Sequence, residues 1–203
     1  WMPDYCRTIN VRCEYLPLAF GRPVLDRVKY DGPRDIPVAF YGGLGTRIWD
    51  QGTLAMAAIA DAVPEFIWHG YVSGSFAELP PSLQRAYREP LWGVDYYKAL
   101  MRTQICLNRH GEIAGRNGAL FGNNCRNYEV VGCRVALLTD HAGELGISCC
   151  KVYSDADDAI SAIRQMQSAE YVKPMRTYGQ FNILENHTYE HRAVRFLEVV
   201  ESL

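Results

Sequence analysis

From Pro37 onward, short apolar runs alternate with stretches of helical period, and no other feature limits the fold as tightly. Val38-Ala39-Phe40-Tyr41 ends in Gly42-Gly43-Leu44-Gly45, the pattern of a buried strand that turns into a helix. Leu54, Ala55, Ala58, Ile59 and Ala62 then recur at helical spacing as far as Pro64. A second run, Glu65-Phe66-Ile67-Trp68-His69, stops at Gly70. The polar, proline-containing stretch 73–92 reads as a surface excursion. Residues 95–103 read as a short helix and 104–108 as a third strand. The second half repeats the pattern, with a helix over 122–131, a strand over 134–139 and a weaker strand over 149–153. Ser154, followed by Asp157 and flanked by Asp155 and Asp158, signals a helix start, and Ala159, Ile160, Ile163 and Met166 supply that helix's apolar face. A last helix from Thr188 is expected to bury Ala193, Leu197 and Val200. Strands alternating with helices of this length imply a parallel sheet covered on both faces, a three-layer α/β fold.

Residues 1–37 lack either period and are punctuated by Pro3, Pro17, Pro23, Pro33 and Pro37. They read as a lead-in and linker segment packed on a domain formed by residues 38–203. The 203 residues suit about one α/β domain and exclude a complete large two-domain enzyme. Twenty-one basic against 23 acidic residues leave a net charge of −2, so nucleic acid is not an expected partner. No apolar run reaches the roughly 18–20 residues of a membrane span, and the first residues do not resemble a signal peptide. Seven irregularly spaced cysteines without Cys-x-x-Cys read as thiols of a reducing cytoplasm.

In an open parallel sheet, ligands bind beyond the carboxyl ends of the strands, where helix N-termini offer amides to anions. Two segments fit. The first is Gly42-Gly43-Leu44-Gly45-Thr46-Arg47, whose glycines admit a phosphate that Arg47 can pair bidentately. As a dinucleotide fingerprint it fails, since Ile48 stands where the third glycine belongs and His69-Gly70 replaces the ribose-binding acid. A tight strand–helix turn with a solvated arginine fits equally. The second segment, 101–134, holds Arg102, Arg109, Arg116, Arg126 and Arg134 with five glycines, no lysine, and only Glu112 and Glu129 as acids. Arginine with glycine-rich backbone suits a bound phosphate. Asn123 and Asn124 stand at the helix start as caps or sugar and phosphate donors. Glu129, between Tyr128 and Val130, is either a half-buried carboxylate that accepts from two ribose hydroxyls or the partner of Arg126 in a helix-surface pair.

Two further motifs carry less. His187-Thr188-Tyr189-Glu190-His191 matches an inverted zinc-protease pattern, but only twelve residues follow His191 to supply a further ligand. A capped terminal helix explains it better, and no metal is expected. Vicinal Cys149-Cys150 in a strand point to opposite faces, which suggests one core and one surface thiol.

Leu107-Asn108-Arg109-His110, then Asn123-Asn124-Cys125-Arg126-Asn127-Tyr128-Glu129-Val130-Val131-Gly132-Cys133, then Ala136-Leu137-Leu138-Thr139-Asp140, together resemble the C-terminal domain of bacterial GT-B glycosyltransferases. Within them the chain is most similar to the CgeB-like, spore-maturation-type group. Tyr15-Leu16-Pro17 and His187-Thr188-Tyr189-Glu190-His191-Arg192 resemble that group's flanking segments, so the resemblance spans nearly the whole chain. It implies a Rossmann-like domain, the C-terminal half of a GT-B fold, that binds a nucleotide-diphosphate sugar and transfers the sugar to an acceptor. Glu129 would contact the donor ribose, and Gly43, Asn108, His110, Asn123 and Asn124 would contribute to the donor site. Arg47 and Arg126 would stabilise the leaving diphosphate without a metal. The acceptor domain, N-terminal in this family, would be the missing partner, leaving the isolated chain slow or inactive. Related retaining enzymes often carry an acid eight residues before the ribose-binding one, and Phe121 stands there. The competing expectation is a non-catalytic structural or interaction domain with a degenerate pocket.

Overall fold

A computed structural model describes residues 8–9, 14–46, 50–110 and 124–202. Six parallel strands form the central sheet: β1 (Ile36–Tyr41), β3 (Phe66–His69), β5 (Tyr87–Arg88), β6 (Thr103–Asn108), β7 (Ala136–Thr139) and β8 (Cys150–Val152). Two short strands, β2 (Leu44–Gly45) and β4 (Val72–Ser73), pair with each other as a separate ribbon. The helices are α1 (Pro23–Arg27), α2 (Asp50–Ala62), α3 (Pro81–Ala86), α4 (Gly93–Arg102), α5 (Cys125–Gly132), α6 (Ala156–Met166), α7 (Ala169–Asn186) and α8 (Tyr189–Glu201).

The sheet order is β5-β3-β1-β6-β7-β8. The chain runs outward from β1 through β3 to β5, then crosses to β6 and runs outward the other way. The order therefore reverses between β1 and β6, where doubly wound sheets open a crevice for ligands. Registers such as Val38↔Phe66, Val38↔Ile105 and Leu107↔Leu138 put the central strands side by side.

Strand side chains alternate between two cores. Val38, Phe40, Ile105, Leu107, Ala136 and Leu138 pack against Met56 and Ile59 of α2, Leu83 of α3 and Ile160 and Ile163 of α6. Ala39, Tyr41, Cys106 and Leu137 point the other way, onto Leu100 of α4, Val130 and Val131 of α5 and Ile183 of α7. Both faces are thus covered, which explains why the strands read as continuous apolar runs rather than alternating ones. The result is the three-layer α/β fold that the alternation predicts, and it is Rossmann-like as the family resemblance implies.

Several local expectations need correction. The stretch 73–92 is not a surface excursion, because it holds α3 and the edge strand β5, with Leu79, Ser82 and Leu83 buried. Its prolines start α3 rather than a loop: Pro81 occupies the first helical turn, where a missing N–H costs nothing. The cap of α6 is Asp155, which accepts from the Asp158 amide at 2.9 Å, one residue beyond the expected Ser154. Cys149 and Cys150 are both buried rather than one core and one surface thiol, because Gly179 and Asn182 of α7 lie over Cys149. Helix α8 is present and capped by Thr188 and His191, yet Leu197 and Val200 are exposed and Ala193 is not buried. Helix α7 has no counterpart in the sequence reading. Part of the lead-in enters the core, since Phe20 and Val28 are fully buried against α5 and its surroundings.

Candidate functional site

The carboxyl ends of β1 and β6 bound a cavity of about 210 Å3, at the point where the strand order reverses. Gly42, Gly43 and Leu44 form one wall, Gly52 and Met56 of α2 another, and Arg109, His110 and Arg126 the cationic side. Arg109 passes along Gly52, where an added Cβ would lie 3.3 Å from its Nε. Arg126, on the first turn of α5, reaches across to Gly42, where an added Cβ would lie 2.9 Å from its guanidinium. Its Nε is buried with no hydrogen-bond partner among the described residues. A buried guanidinium nitrogen without an acceptor is costly, and a bound anion is the ordinary remedy.

The wall at Gly42 is fixed by close backbone packing. The Trp68 indole donates to the Gly42 carbonyl at 2.7 Å, and the Gly42 amide donates to the His69 carbonyl at 3.0 Å. A Cβ at Gly70 would collide with that Gly42 carbonyl, so glycine is required there by space. Thr53 of α2 is buried and clamps β2, accepting from the Gly45 amide at 2.8 Å and donating to the Gly45 carbonyl at 2.9 Å. Together these contacts hold the glycine turn over the cavity.

The floor is a polar network at the strand ends. Asn108 is fully buried and donates to the side-chain oxygen of Asn127 at 2.6 Å and of Asn124 at 3.2 Å. Asn124 caps α5, and its side chain accepts from the Asn127 amide. Asn127 also donates to the His141 carbonyl at 3.2 Å, and the Tyr153 hydroxyl donates to the Asn108 carbonyl at 3.1 Å. The ends of β6, β7 and β8 are thereby tied to the start of α5. Asp140 accepts from the His110 amide and from its Nδ1, the latter at 2.7 Å. That fixes the ring orientation and leaves Nε2 buried and without a hydrogen-bond partner among the described residues.

Glu129 lies one turn deeper in α5 and does not line the cavity. Its two oxygens accept from the hydroxyls of Tyr96 at 2.9 Å and Tyr97 at 3.0 Å, both on α4. Arg126 feels its charge, with Tyr96 between the two groups. Neither a free ribose acceptor nor a simple surface ion pair describes this arrangement. The carboxylate instead holds the tyrosine pair upright and draws Tyr96 next to Arg126. Burial first, and the Glu129 charge after it, raise the Tyr97 hydroxyl above its ordinary value.

Of the residues singled out in the sequence, Gly43, His110 and Arg126 meet at the cavity. Asn108 and Asn124 lie beneath it as struts. Arg47, Asn123 and Phe121 fall outside the described residues. Arg109 belongs to the basic stretch of the sequence but not to its expected site residues, and its position directly after β6 is the signal that marks it. A smaller cavity of about 80 Å3 shares Gly42, Tyr71 and Arg126 with the first and is lined by Tyr41, His69, Trp92 and Tyr96. His69 stacks on Tyr41 at 5.6 Å and meets the Glu89 carbonyl through Nδ1 at 2.8 Å. Among the described residues no group of three or more His, Cys, Asp or Glu is placed to hold a metal. His191 Nδ1 is engaged with Thr188 in the helix cap instead. No helix of the described residues is long and apolar enough to cross a membrane.

Comparison with known proteins agrees with this architecture. AviGT4, a glycosyltransferase involved in avilamycin A biosynthesis, superposes with a TM-score of 0.62 at 16% identity, covering 92% of this chain and 57% of that one. The OtsA apo structure gives 0.61 at 11% identity, covering 93% and 51%. A trehalose-6-phosphate structure from E. coli, bound with UDP-2-fluoro glucose, gives 0.59 at 11%, covering 93% and 52%. At these identities the likeness speaks for the fold. The chain spans about half the length of the solved structures it matches. No curated protein matches. The profile of the family described as "Glycosyl transferase-like" matches residues 53–198, from α2 into α8 and including the cavity's cationic side. The chain therefore belongs to the glycosyl transferase-like family.

Proposed function

We propose that this chain is the donor-binding half of a GT-B glycosyltransferase of the CgeB-like group, C-terminal in the whole enzyme. It would bind a nucleotide-diphosphate sugar with the diphosphate in the crevice between β1 and β6. The observation that carries this reading is the convergence of Arg109, Arg126 and His110 on a glycine-walled cavity at the strand-order reversal. Guanidinium groups and glycine backbone are what a diphosphate needs, and Arg126 has a buried nitrogen with no acceptor among the described residues. The start of α5, capped by Asn124, adds the positive end of a helix close by.

In transfer, negative charge builds on the departing nucleoside diphosphate. Arg126 and Arg109 would stabilise it from fixed positions, with Arg47 and the α5 amides assisting, so that little reorganisation accompanies bond breaking. The arginine set suits a metal-free mechanism. His110, oriented by Asp140, would donate to a phosphate oxygen from Nε2 when its ring carries both protons. Asn108, Asn123 and Asn124 would shape the start of α5 at which the diphosphate rests, and Gly43 would allow its close approach. Glu129 would reach a ribose only by exchanging one tyrosine hydroxyl for a sugar hydroxyl. The acceptor and its activating base would come from an N-terminal partner domain, a reading that the half-length match supports. Residues 1–37 would then form the lead-in to the 38–203 domain.

The engagement of both Glu129 oxygens by Tyr96 and Tyr97 favours a second reading, a non-catalytic domain that has lost nucleotide binding. Calorimetric titration with UDP, GDP and their sugars separates the two. Binding weakened by Arg126→Gln supports the donor site, and absence of binding by any of them supports the degenerate pocket.

A further inference from the structure

The opposite edge of the sheet carries a second concentration of positive charge that the crevice does not use. Arg34 precedes β1 and Arg134 precedes β7, while Lys173 and Arg176 stand one turn apart on α7. With Ala169 and Thr177 they line a cavity of about 300 Å3. No carboxylate of the described residues lines it. Among the described residues none of the four cations pairs with an aspartate or glutamate.

The cluster is held in place rather than splayed into solvent. Arg34 donates to the carbonyls of Met101 at 2.8 Å and Thr103 at 2.9 Å through one nitrogen, and to that of Arg134 at 3.0 Å through the other. Arg134 has φ 59°, the left-handed region that residues with a Cβ seldom occupy, and its guanidinium reaches Thr177 Oγ1 at 3.3 Å. Arg176 donates to the Gln104 carbonyl, but its Nε is buried with no hydrogen-bond partner among the described residues. Loss of water, then the charges of Arg34 and Arg134, push its guanidinium down to about 10. Ala169 is the first residue of the 18-residue α7, whose N-cap Ser168 makes no side-chain cap bond. The positive end of a long helix, with Glu170 in its first turn, therefore joins the cavity wall.

Like charges gathered against a half-buried cavity raise the free energy of the fold unless an anion relieves them. We propose that this cavity is a second anion site, specific for a phosphate or diphosphate group of an organic phosphate. Three guanidinium groups with a lysine favour phosphate oxygens over a single carboxylate. An adjoining cavity of about 490 Å3 shares Arg34 and Arg134 and is lined by Leu25, Val28, Tyr30 and Met101 together with the polar Lys29 and Asp31, so it offers room for the organic remainder. The site lies at the amino ends of β1, β6 and β7, away from the crevice at their carboxyl ends, and does not depend on the crevice binding a nucleotide.

Titration of the whole chain with inorganic pyrophosphate tests it, with Lys173→Gln/Arg176→Gln and Arg126→Gln as variants and thermal unfolding without ligand as the folding control. The expected result is a pyrophosphate site that persists in Arg126→Gln and weakens at least tenfold in Lys173→Gln/Arg176→Gln, with Lys173→Arg retaining it. Sedimentation with phosphatidic acid vesicles on the same variants tells a lipid headgroup from a soluble phosphate. Loss of vesicle binding in the double variant assigns the headgroup, and pyrophosphate binding alone assigns the soluble ligand. If the double variant folds and binds both probes as the wild type does, or if every site disappears with Arg126→Gln, the proposal is overturned.

Discussion

Arg126 and Glu129 share one helix but answer to different constraints. Arg126 projects from the first turn of α5 toward Gly42, and its Nε has no hydrogen-bond partner among the described residues, which leaves it open to an acceptor in the cavity. Glu129 is internally satisfied by two tyrosine hydroxyls. Replacing it by alanine leaves both hydroxyls without their acceptor in a half-buried setting, a cost of about 1–3 kcal/mol. Glu129→Ala is therefore expected to lower stability by that amount in urea unfolding, and a neutral result would contradict the tyrosine clamp. A nucleotide-binding loss in that variant mixes two causes, which makes the arginines cleaner probes of the site. Residue types and spacing exposed Arg126, because an arginine after paired asparagines at a helix start is a recognisable pattern. They did not expose the Tyr96–Tyr97–Glu129 triad, whose partners lie 32 and 33 positions apart and meet only through tertiary packing.

At the scale of elements, strands and helices differ in how plainly the sequence announces them. Strands β1, β3, β6 and β7 carry side chains into both cores, so each is a compact apolar run bounded by glycine or a polar residue, whereas the edge strand β8 buries only Cys150 and reads weakly. Helix α7 was silent because only Val172, Gly179 and Ile183 of its 18 residues are buried and Pro174 interrupts it. Such a thin stripe gives no periodic signal. Helix α8 misled in the opposite sense, since its apolar residues have helical spacing but Val194, Phe196, Leu197 and Val200 face solvent in this chain. Leu197→Ser is accordingly expected to change unfolding free energy by no more than about 0.5 kcal/mol. Ile163→Ala in α6, which is fully buried, is expected to cost about 2–5 kcal/mol. A large loss at Leu197 would mean that α8 has a covered face.

At the scale of the whole molecule, two histidines make stability depend on pH. Burial holds His69 below its ordinary value, with Arg88 adding to the shift, and burial followed by Arg192 does the same at His187. Both are neutral in the native state at a pH where the unfolded chain takes up protons. Their contribution is complete above about pH 6.5 and is lost as pH falls through that value toward the lower native ones. The melting temperature is expected to drop between about pH 7 and pH 5.5, and the drop should be shallower in His69→Gln/His187→Gln. An identical slope in that variant would place the titrating groups elsewhere.

The doubly wound order and the glycine turn open a crevice between β1 and β6, and Arg109 and Arg126 make it cationic. The proposed ligand of that crevice is the diphosphate of a nucleotide. Calorimetric affinities of UDP and GDP against uridine and guanosine, on the wild type and on Arg109→Gln/Arg126→Gln, test it most directly. A nucleoside diphosphate is expected to bind more tightly than its nucleoside, and the double variant to erase most of this preference. With a charged hydrogen bond worth about 1.5–3 kcal/mol, that is a loss of tenfold or more. A diphosphate preference that survives unchanged in a folded double variant would contradict it.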